Sequence, residues 1–89
     1  MFKHFTTARF WEHYAQLPKD IRDLADKDFE LLKADPKHPS LHLKKIDKLW
    51  SVRVGRSHRA LAATREEGLL WFWVGSHDEY EKLLGTLKA

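Results

Sequence analysis

Residues 49–59 read LWSVRVGRSHR, and the order of apolar and polar residues in this segment predicts a β-hairpin. Apolar side chains alternate with polar ones from Trp50 to Val54, and Gly55 then interrupts the pattern. A period of two residues is typical of a strand with one buried face, and glycine followed by polar residues is typical of a tight turn. The stretch therefore predicts a β-hairpin whose returning strand covers residues 58–63.

The sequence downstream predicts a further strand and a helix. The run from Leu69 to Val74 is apolar on both faces, which is typical of a strand that is covered on both sides. Ser76 and Glu79 then match the S-x-x-E capping box, in which each residue satisfies a free backbone N–H of the other at the start of a helix. An apolar stripe at helical spacing follows, made of Tyr80, Leu83, Leu84 and Leu87. We therefore expect a short C-terminal helix.

The sequence upstream predicts two helices, over residues 8–17 and 18–34, because apolar residues recur there at helical spacing. Pro18 suits the first turn of the second helix, and Asp35 ends it because a residue before a proline is pushed out of the α region. A brief strand is expected over residues 3–7, supported by Phe2 and Phe5, and the alternation of Leu41 and Leu43 indicates another.

These elements predict a single α+β domain over residues 1–89. An N-terminal helical hairpin would pack on a small antiparallel β-sheet, and the short C-terminal helix would close it. A chain of 89 residues is too short for two independent cores, since domains usually run from about 50 to 250 residues. The four Trp, five Phe and two Tyr argue against disorder.

The composition also excludes several kinds of site. The chain has no cysteine, which rules out disulfides, thiolate nucleophiles and cysteine-ligated zinc. Its longest apolar run is far shorter than the roughly 20 residues of a membrane-spanning helix, and the N-terminus does not resemble a secretory signal. We therefore expect a cytoplasmic protein without a membrane partner.

The charges are distributed unevenly along the chain. The formal net charge is +3, but residues 1–40 are neutral, residues 41–65 carry +6 and residues 66–89 carry −3. A concentration of cations points toward a polyanionic partner, although such a segment is also compatible with an ordinary solvated face. The candidate nucleic-acid contacts in this basic segment are Lys44, Lys45, Lys48 and Arg56.

Two arginines in the hairpin are the best candidates for chemistry. If Val52 and Val54 face the helices, Ser51 and Arg53 face the open side of the sheet, and the Gly55 turn brings Arg59 near Arg53. Two guanidinium groups on one face can clamp a phosphate, because each presents a planar fork to two anionic oxygens. The alternative is a pair of solvated arginines.

His77 and Tyr80 are the second pair of candidates. His77 opens the last helix at the end of the apolar strand, where it can exchange a proton near neutral pH. Tyr80 lies one turn further and could donate a proton or stabilise charge. The structural alternatives are a solvent-exposed histidine and a tyrosine that belongs to the apolar stripe.

No cofactor or metal is expected. His38 and His42 are four residues apart but straddle Pro39, so no helix aligns them as ligands. The chain also lacks a glycine-rich phosphate loop.

The ordered set of motifs resembles the RelE/ParE toxins of bacterial type II toxin-antitoxin systems over nearly the full length. The resemblance is carried by Leu17-Pro18, Asp35-Pro36, His38-Pro39-Ser40-Leu41, Leu49-Trp50-Ser51-Val52-Arg53, His58-Arg59 and Gly75-Ser76-His77 before Tyr80. It implies the helical hairpin and antiparallel sheet already expected. It also implies that a cognate antitoxin protein neutralises the chain.

The resemblance implies two alternative activities. RelE-like members cleave mRNA on the ribosome without a metal, and by position Arg59 would contact the scissile phosphate with Arg53, His77 and Tyr80 around it. ParE-like members instead inhibit DNA gyrase and are not enzymes. A basic RNA-binding domain without catalysis is the third possibility. We expect an mRNA endoribonuclease, with gyrase inhibition as the alternative.

Overall fold

The computed structural model describes the backbone of residues 3–88 and the side chains of residues 3–86. Phe2 and Leu87, which the sequence places in the first strand and in the C-terminal stripe, lie outside the described side chains. The elements in chain order are β1 (Lys3–Thr6), α1 (Ala8–Ala15), α2 (Lys19–Ala34), a 3₁₀ turn (Pro39–Leu41), β2 (Lys44–Ile46), β3 (Leu49–Val54), β4 (His58–Arg65), β5 (Gly68–Ser76) and α3 (His77–Lys88).

The strands form one five-stranded sheet in the order β1-β5-β4-β3-β2. Strands β2 to β5 are antiparallel neighbours, as expected, whereas β1 pairs with β5 in parallel. The α+β prediction is confirmed, and the sheet is mixed rather than wholly antiparallel. The four residues of β1 do not indicate whether the strand pairs in parallel or antiparallel. Its direction depends on a partner strand 65 positions away, as the Lys3–Gly68 register pair shows.

The sheet is covered on both faces. The helical hairpin covers one face, where Leu17 and Leu32 pack with Val52, Val54 and other buried residues. Helix α3 covers the opposite face, where Tyr80 packs with Leu61 and Trp73. Strand β5, which lies between β1 and β4, contributes to both clusters, and this confirms the prediction that it is covered on both sides.

A bulge lets β5 supply that second core. Leu61 pairs with Trp73 whereas the next residue, Ala62, pairs with Trp71, so Phe72 is an extra residue on β5. Phe72 and Trp73 consequently both pack on the α3 side.

The helical hairpin forms close to its predicted limits. Thr7 caps α1 by accepting a hydrogen bond from the Phe10 N–H at 3.0 Å. Helix α1 ends at Ala15, two residues before the predicted end. The N–H groups of Gln16 and Leu17 bond to carbonyl groups three residues earlier, those of His13 and Tyr14, which tightens the last turn before Pro18.

The segment over residues 39–43 is not the strand that its alternating leucines predict. Pro39 opens a 3₁₀ turn, and the His38 side chain accepts a hydrogen bond from the Ser40 N–H at 3.2 Å. Leu41 is fully buried and His42 adopts left-handed backbone angles, with φ at 46°. The cap and the buried leucine favour a turn over an extended strand, so β2 begins only at Lys44.

An apolar cavity of about 90 Å³ lies between the helical hairpin and the sheet. Its walls include Phe10, Phe29, Val52 and Trp71, with almost no polar surface. The polar and charged candidates lie instead at the opposite face of the sheet and its rim.

Candidate functional site

The β3–β4 hairpin places Arg53 directly opposite Arg59. The two residues are register partners, so their side chains share one face of the sheet. Gly55 makes the turn possible because its φ of 61° is unfavourable for residues with a side chain. Its N–H donates to Asp28 Oδ2 at 3.2 Å, which ties the turn to α2. The predicted pairing of the two arginines is therefore present in the fold.

Arg59 lies against Tyr80 of helix α3. Its guanidinium carbon is 5.6 Å from the centre of the tyrosine ring, which is within the range of a cation–π interaction. The Arg59 Nη1 atom is buried and has no hydrogen-bond partner among the described residues. A buried donor without an acceptor costs about 1–3 kcal/mol or more.

Tyr80 is a core residue as well as a neighbour of Arg59. Only 2% of it is exposed, and its ring contacts Trp73 at 6.5 Å between centroids. Tyr80 is thus buried, as the alternative that assigned it to the apolar stripe of the C-terminal helix predicts. Its hydroxyl group is buried and has no partner among the described side chains. The Tyr80 ring therefore contacts the Arg59 guanidinium group, and this contact does not depend on the hydroxyl group.

His77, the first residue of α3, lies against Tyr80. Its ring stacks on the tyrosine ring at 5.9 Å between centroids. Nε2 is 3.3 Å from Glu81 Oε1, and 46% of the side chain is exposed. The backbone N–H donates to the Ser57 carbonyl at 2.7 Å, which fixes the start of α3 beside the β3–β4 turn. Arg59 and His77 therefore both contact the Tyr80 ring.

The predicted capping box fixes the start of this helix. The Ser76 N–H and hydroxyl donate to Glu79 Oε1 at 3.1 and 2.9 Å, and the Glu79 N–H donates back to Ser76 Oγ at 3.2 Å. The hydrogen bonds from Ser76 lower the pKa of Glu79 below its usual 4.5. The carboxylate is thereby held in its charged form beside the site.

Ser51 does not lie on an open face, in contrast to the prediction from alternation. It shares the face of Arg53, but it is fully buried and its hydroxyl group has no partner among the described residues. Its register partner Leu61 packs with Trp73 and Tyr80, so helix α3 closes this part of the sheet. Arg53 and Arg59, further along the same face, are partly exposed.

The four predicted nucleic-acid contacts do not form one patch. All four are exposed, but Lys44 pairs with Ser51 and so shares the arginine face, whereas Lys45 pairs with Trp50 and lies on the opposite face. Lys48 and Arg56 lie in the turns at the two ends of the six-residue strand β3, about 20 Å apart. The structure brings Lys44 to the arginine face, places Lys45 on the opposite face, and leaves Lys48 and Arg56 at opposite ends of β3.

Sequence reasoning missed one residue at the site. His42 is exposed, and its Nε2 atom is 3.4 Å from Arg53 Nη1. The alternation of Leu41 and Leu43 hid it, because a strand would have placed its side chain elsewhere. His38 instead contacts the hydroxyl of Ser40, so the two histidines take separate partners.

Within residues 3–86, no three His, Asp or Glu side chains converge as a metal site would require. None of the three described helices has the length and apolar character that crossing a bilayer demands.

Several solved structures share the fold of this chain. The fold matches RelE from the RelB-RelE antitoxin-toxin complex of Methanococcus jannaschii with a TM-score of 0.69 at 16% identity, covering 89% of this chain and 96% of that one. It matches an E. coli RelE mutant in the free state with a TM-score of 0.66 at 13% identity, covering 98% and 95%. A YoeB/ParE toxin from Agrobacterium tumefaciens gives a TM-score of 0.63 at 15% identity, covering 85% and 99%.

These structures show the fold alone, because their identities are low. A comparison with curated proteins finds no significant match. The family model described as the ParE-like toxin domain matches residues 19–82, which is most of the chain and includes Arg53, Arg59, His77 and Tyr80. The chain therefore belongs to the ParE-like toxin domain family and has the RelE/ParE toxin fold.

Proposed function

We propose that this chain is the toxin of a type II toxin-antitoxin system and acts in the cytoplasm as a metal-independent, ribosome-associated mRNA endoribonuclease. The observation that supports the activity is the register pair of Arg53 and Arg59, with the stack of Tyr80 and His77 beside it. A small basic face with two guanidinium groups suits a phosphate whose negative charge increases during the reaction.

In the proposed reaction, the 2′-hydroxyl of the RNA attacks the adjacent phosphorus. The products are a cyclic phosphate and a 5′-hydroxyl end. Arg59 stabilises the charge of the pentacovalent transition state, because a guanidinium group offers several donors to the phosphate oxygens. Arg53 holds a second oxygen, His77 transfers a proton, and Tyr80 supports the Arg59 guanidinium and stacks beside the site. Lys44 lies on the same face and would hold a flanking phosphate.

Arg59 gives the most direct test of this proposal. Arg59→Ala should reduce cleavage of mRNA on programmed ribosomes at least about a hundredfold, the scale of one lost charge-stabilising donor. Arg59→Lys should recover only part of the rate, since an ammonium keeps the charge without the planar fork. The rate is measured from the appearance of new 5′-hydroxyl ends. Cleavage by Arg59→Ala at the normal rate would refute the assignment.

The proposed protein partner is a cognate antitoxin, because three of the similar structures are described as complexes of RelE with RelB. A neighbouring reading frame for a small protein that copurifies with this chain and suppresses its effect on growth would support that role. The ribosome and mRNA are proposed as the targets.

Gyrase inhibition is the second candidate. It is favoured by the description of the matching family as ParE-like and by the burial of Tyr80, which keeps its hydroxyl away from solvent. Parallel assays separate the two activities: a gyrase inhibitor blocks DNA supercoiling and leaves mRNA intact, whereas a ribonuclease produces defined cuts. A third outcome, salt-sensitive RNA binding with no new ends, would indicate a binding domain without catalysis.

A further inference from the structure

The guanidinium group of Arg53 is held by the turn that follows it. The Arg53 Nε–H donates to the carbonyl oxygen of Gly55 at 3.0 Å, and both residues are partly exposed. The contact between Nη1 and His42 Nε2 is longer, at 3.4 Å. Because Nε is occupied, only the Nη donors are left for an anion. The Gly55 carbonyl therefore determines which edge of the guanidinium group faces a phosphate.

The backbone of Gly55 is in turn held by helix α2. The Gly55 N–H donates to Asp28 Oδ2 at 3.2 Å, across 27 positions of sequence. Leu24, one helical turn before Asp28, also lies against the turn, since a Cβ atom built on Gly55 would be 2.9 Å from Leu24 Cδ1. Helix α2 covers the face of the sheet opposite Arg53. These contacts therefore run through the turn from one face of the sheet to the other.

The turn needs such a restraint because it is built on glycine. Glycine has more backbone freedom to lose on folding than any other residue, and Gly55 is held at a φ of 61°. A carboxylate accepts a stronger hydrogen bond from an N–H group than a neutral oxygen does. Asp28 is therefore suited to select one conformation of the turn, and the Gly55 carbonyl passes the resulting orientation to Arg53.

We propose that Asp28 is a positioning residue for Arg53 and acts through the backbone of Gly55, an inference that rests on the proposed ribonuclease function. Asp28 restrains the turn, and the turn restrains Nε of Arg53. The Nη atoms are thereby oriented for a phosphate oxygen before RNA binds. A long side chain that is already held loses less freedom on binding, so the restraint favours both RNA binding and correct geometry in the transition state.

The first test measures the Arg53 side chain by nuclear magnetic resonance and needs no activity. Arg53→Lys identifies the Nε–H signal of Arg53 by its loss. Asp28→Ala should accelerate exchange of this proton with water several-fold, because the turn that accepts it is released. Asp28→Asn keeps a side-chain oxygen that can accept from Gly55, so most of the protection should remain. Alanine suits a helix interior, and the amide spectrum of each variant verifies that it folds.

The matched control is Asp26→Ala. It also removes one carboxylate from α2 together with one hydrogen bond, which Asp26 accepts from the Tyr14 hydroxyl at 2.8 Å. That bond joins α2 to α1 instead of to the turn. Exchange of the Arg53 Nε–H should therefore be the same in Asp26→Ala as in the wild-type chain.

The second test measures mRNA cleavage on programmed ribosomes. Asp28→Ala should slow cleavage about 10- to 100-fold, the scale of a small misplacement of a reacting group. Asp28→Asn should recover most of the rate, and Asp26→Ala should leave it normal. If Asp28 acts through Arg53, Asp28→Ala should cause no further loss in a chain that already carries Arg53→Ala.

Unchanged exchange of the Arg53 Nε–H in Asp28→Ala would overturn the positioning role. Losses of rate that multiply in the double variant would also overturn it, and either result would leave the ribonuclease proposal intact. Absence of cleavage by the wild-type chain would instead refute the ribonuclease proposal. The exchange rates would then still decide whether Asp28 positions Arg53.

Discussion

His4 is a histidine whose protonation the folded state opposes. Its Nδ1 atom accepts a hydrogen bond from Trp71 Nε1 at 3.0 Å, and its ring packs against Trp71 and the edge of Phe29. Burial lowers the pKa of His4 below its usual 6.5, and the nearby positive charge of Lys33 acts in the same direction. A proton on Nδ1 would also remove the acceptor for Trp71.

This environment predicts that stability decreases in mild acid. Because the pKa of His4 is lowered by folding, the unfolded chain binds more protons as the pH falls through 6.5, and the free energy of unfolding decreases. The midpoint of thermal unfolding should therefore fall between about pH 7.5 and 5. His4→Gln keeps an acceptor but does not titrate, so its midpoint should fall less. Parallel curves for the two proteins would contradict this account.

Some residues of the site could be predicted from local pattern and others could not. Alternation along β3 correctly placed Arg53 on the face away from the helical hairpin, because facing follows from a period of two, and the Gly55 turn correctly predicted that Arg59 lies near it. Alternation could not show that α3 buries Ser51, since that depends on how a distant helix packs. His42 was missed because its left-handed conformation is imposed by the turn before it and leaves no signal in the spacing of its neighbours.

At the level of elements, the attachment of β1 depends on a close approach at the start of β5. Gly68 pairs with Lys3 and has a φ of 154°. A Cβ atom there would overlap the carbonyl oxygen of Lys3 and lie 2.8 Å from its carbonyl carbon. Both the backbone angle and the contact therefore require glycine at this position.

Gly68→Ala should lower the free energy of unfolding by more than about 1 kcal/mol, because alanine disfavours the backbone angle and collides with β1. The matched control is Gly85→Ala on α3, where a Cβ atom meets nothing within 4 Å. That substitution should stabilise the helix by about 0.5–1 kcal/mol. Urea unfolding measures both changes, and equal effects of the two variants would show that the contact with Lys3 is unimportant.

Helix and strand identities were largely predictable, whereas strand direction and loop shape were not. The capping box of Ser76 and Glu79 located the start of α3 because its hydrogen bonds are local. The parallel pairing of β1 depends on contacts between the two ends of the chain. Residues 39–43 were predicted as a strand, because two leucines separated by one residue are compatible with a strand and also with a turn.

At the scale of the whole molecule, folding sorts the basic segment between two faces of the sheet. The net charge of +6 over residues 41–65 predicts attraction to a polyanion. It does not predict that the cations of this segment lie on two different faces of the sheet. Lys44 lies on the face of Arg53 and Arg59, and its neighbour Lys45 lies on the face covered by the helical hairpin. If RNA binds along the face that carries Arg53 and Arg59, the contribution of each lysine to RNA affinity should depend on the face on which it lies.

Lys44→Gln and Lys45→Gln test this, since each removes one charge from an exposed position on the same strand. The probe is a short single-stranded RNA with 2′-methoxy groups, which cannot be cleaved through its 2′-oxygens. Lys44→Gln should weaken binding and make the slope of log affinity against log salt shallower by about 0.7, the value for one lost phosphate contact on a single strand. Lys45→Gln should change the slope much less. Equal losses would mean that RNA responds to the overall charge of the molecule rather than to the face that carries the arginine pair.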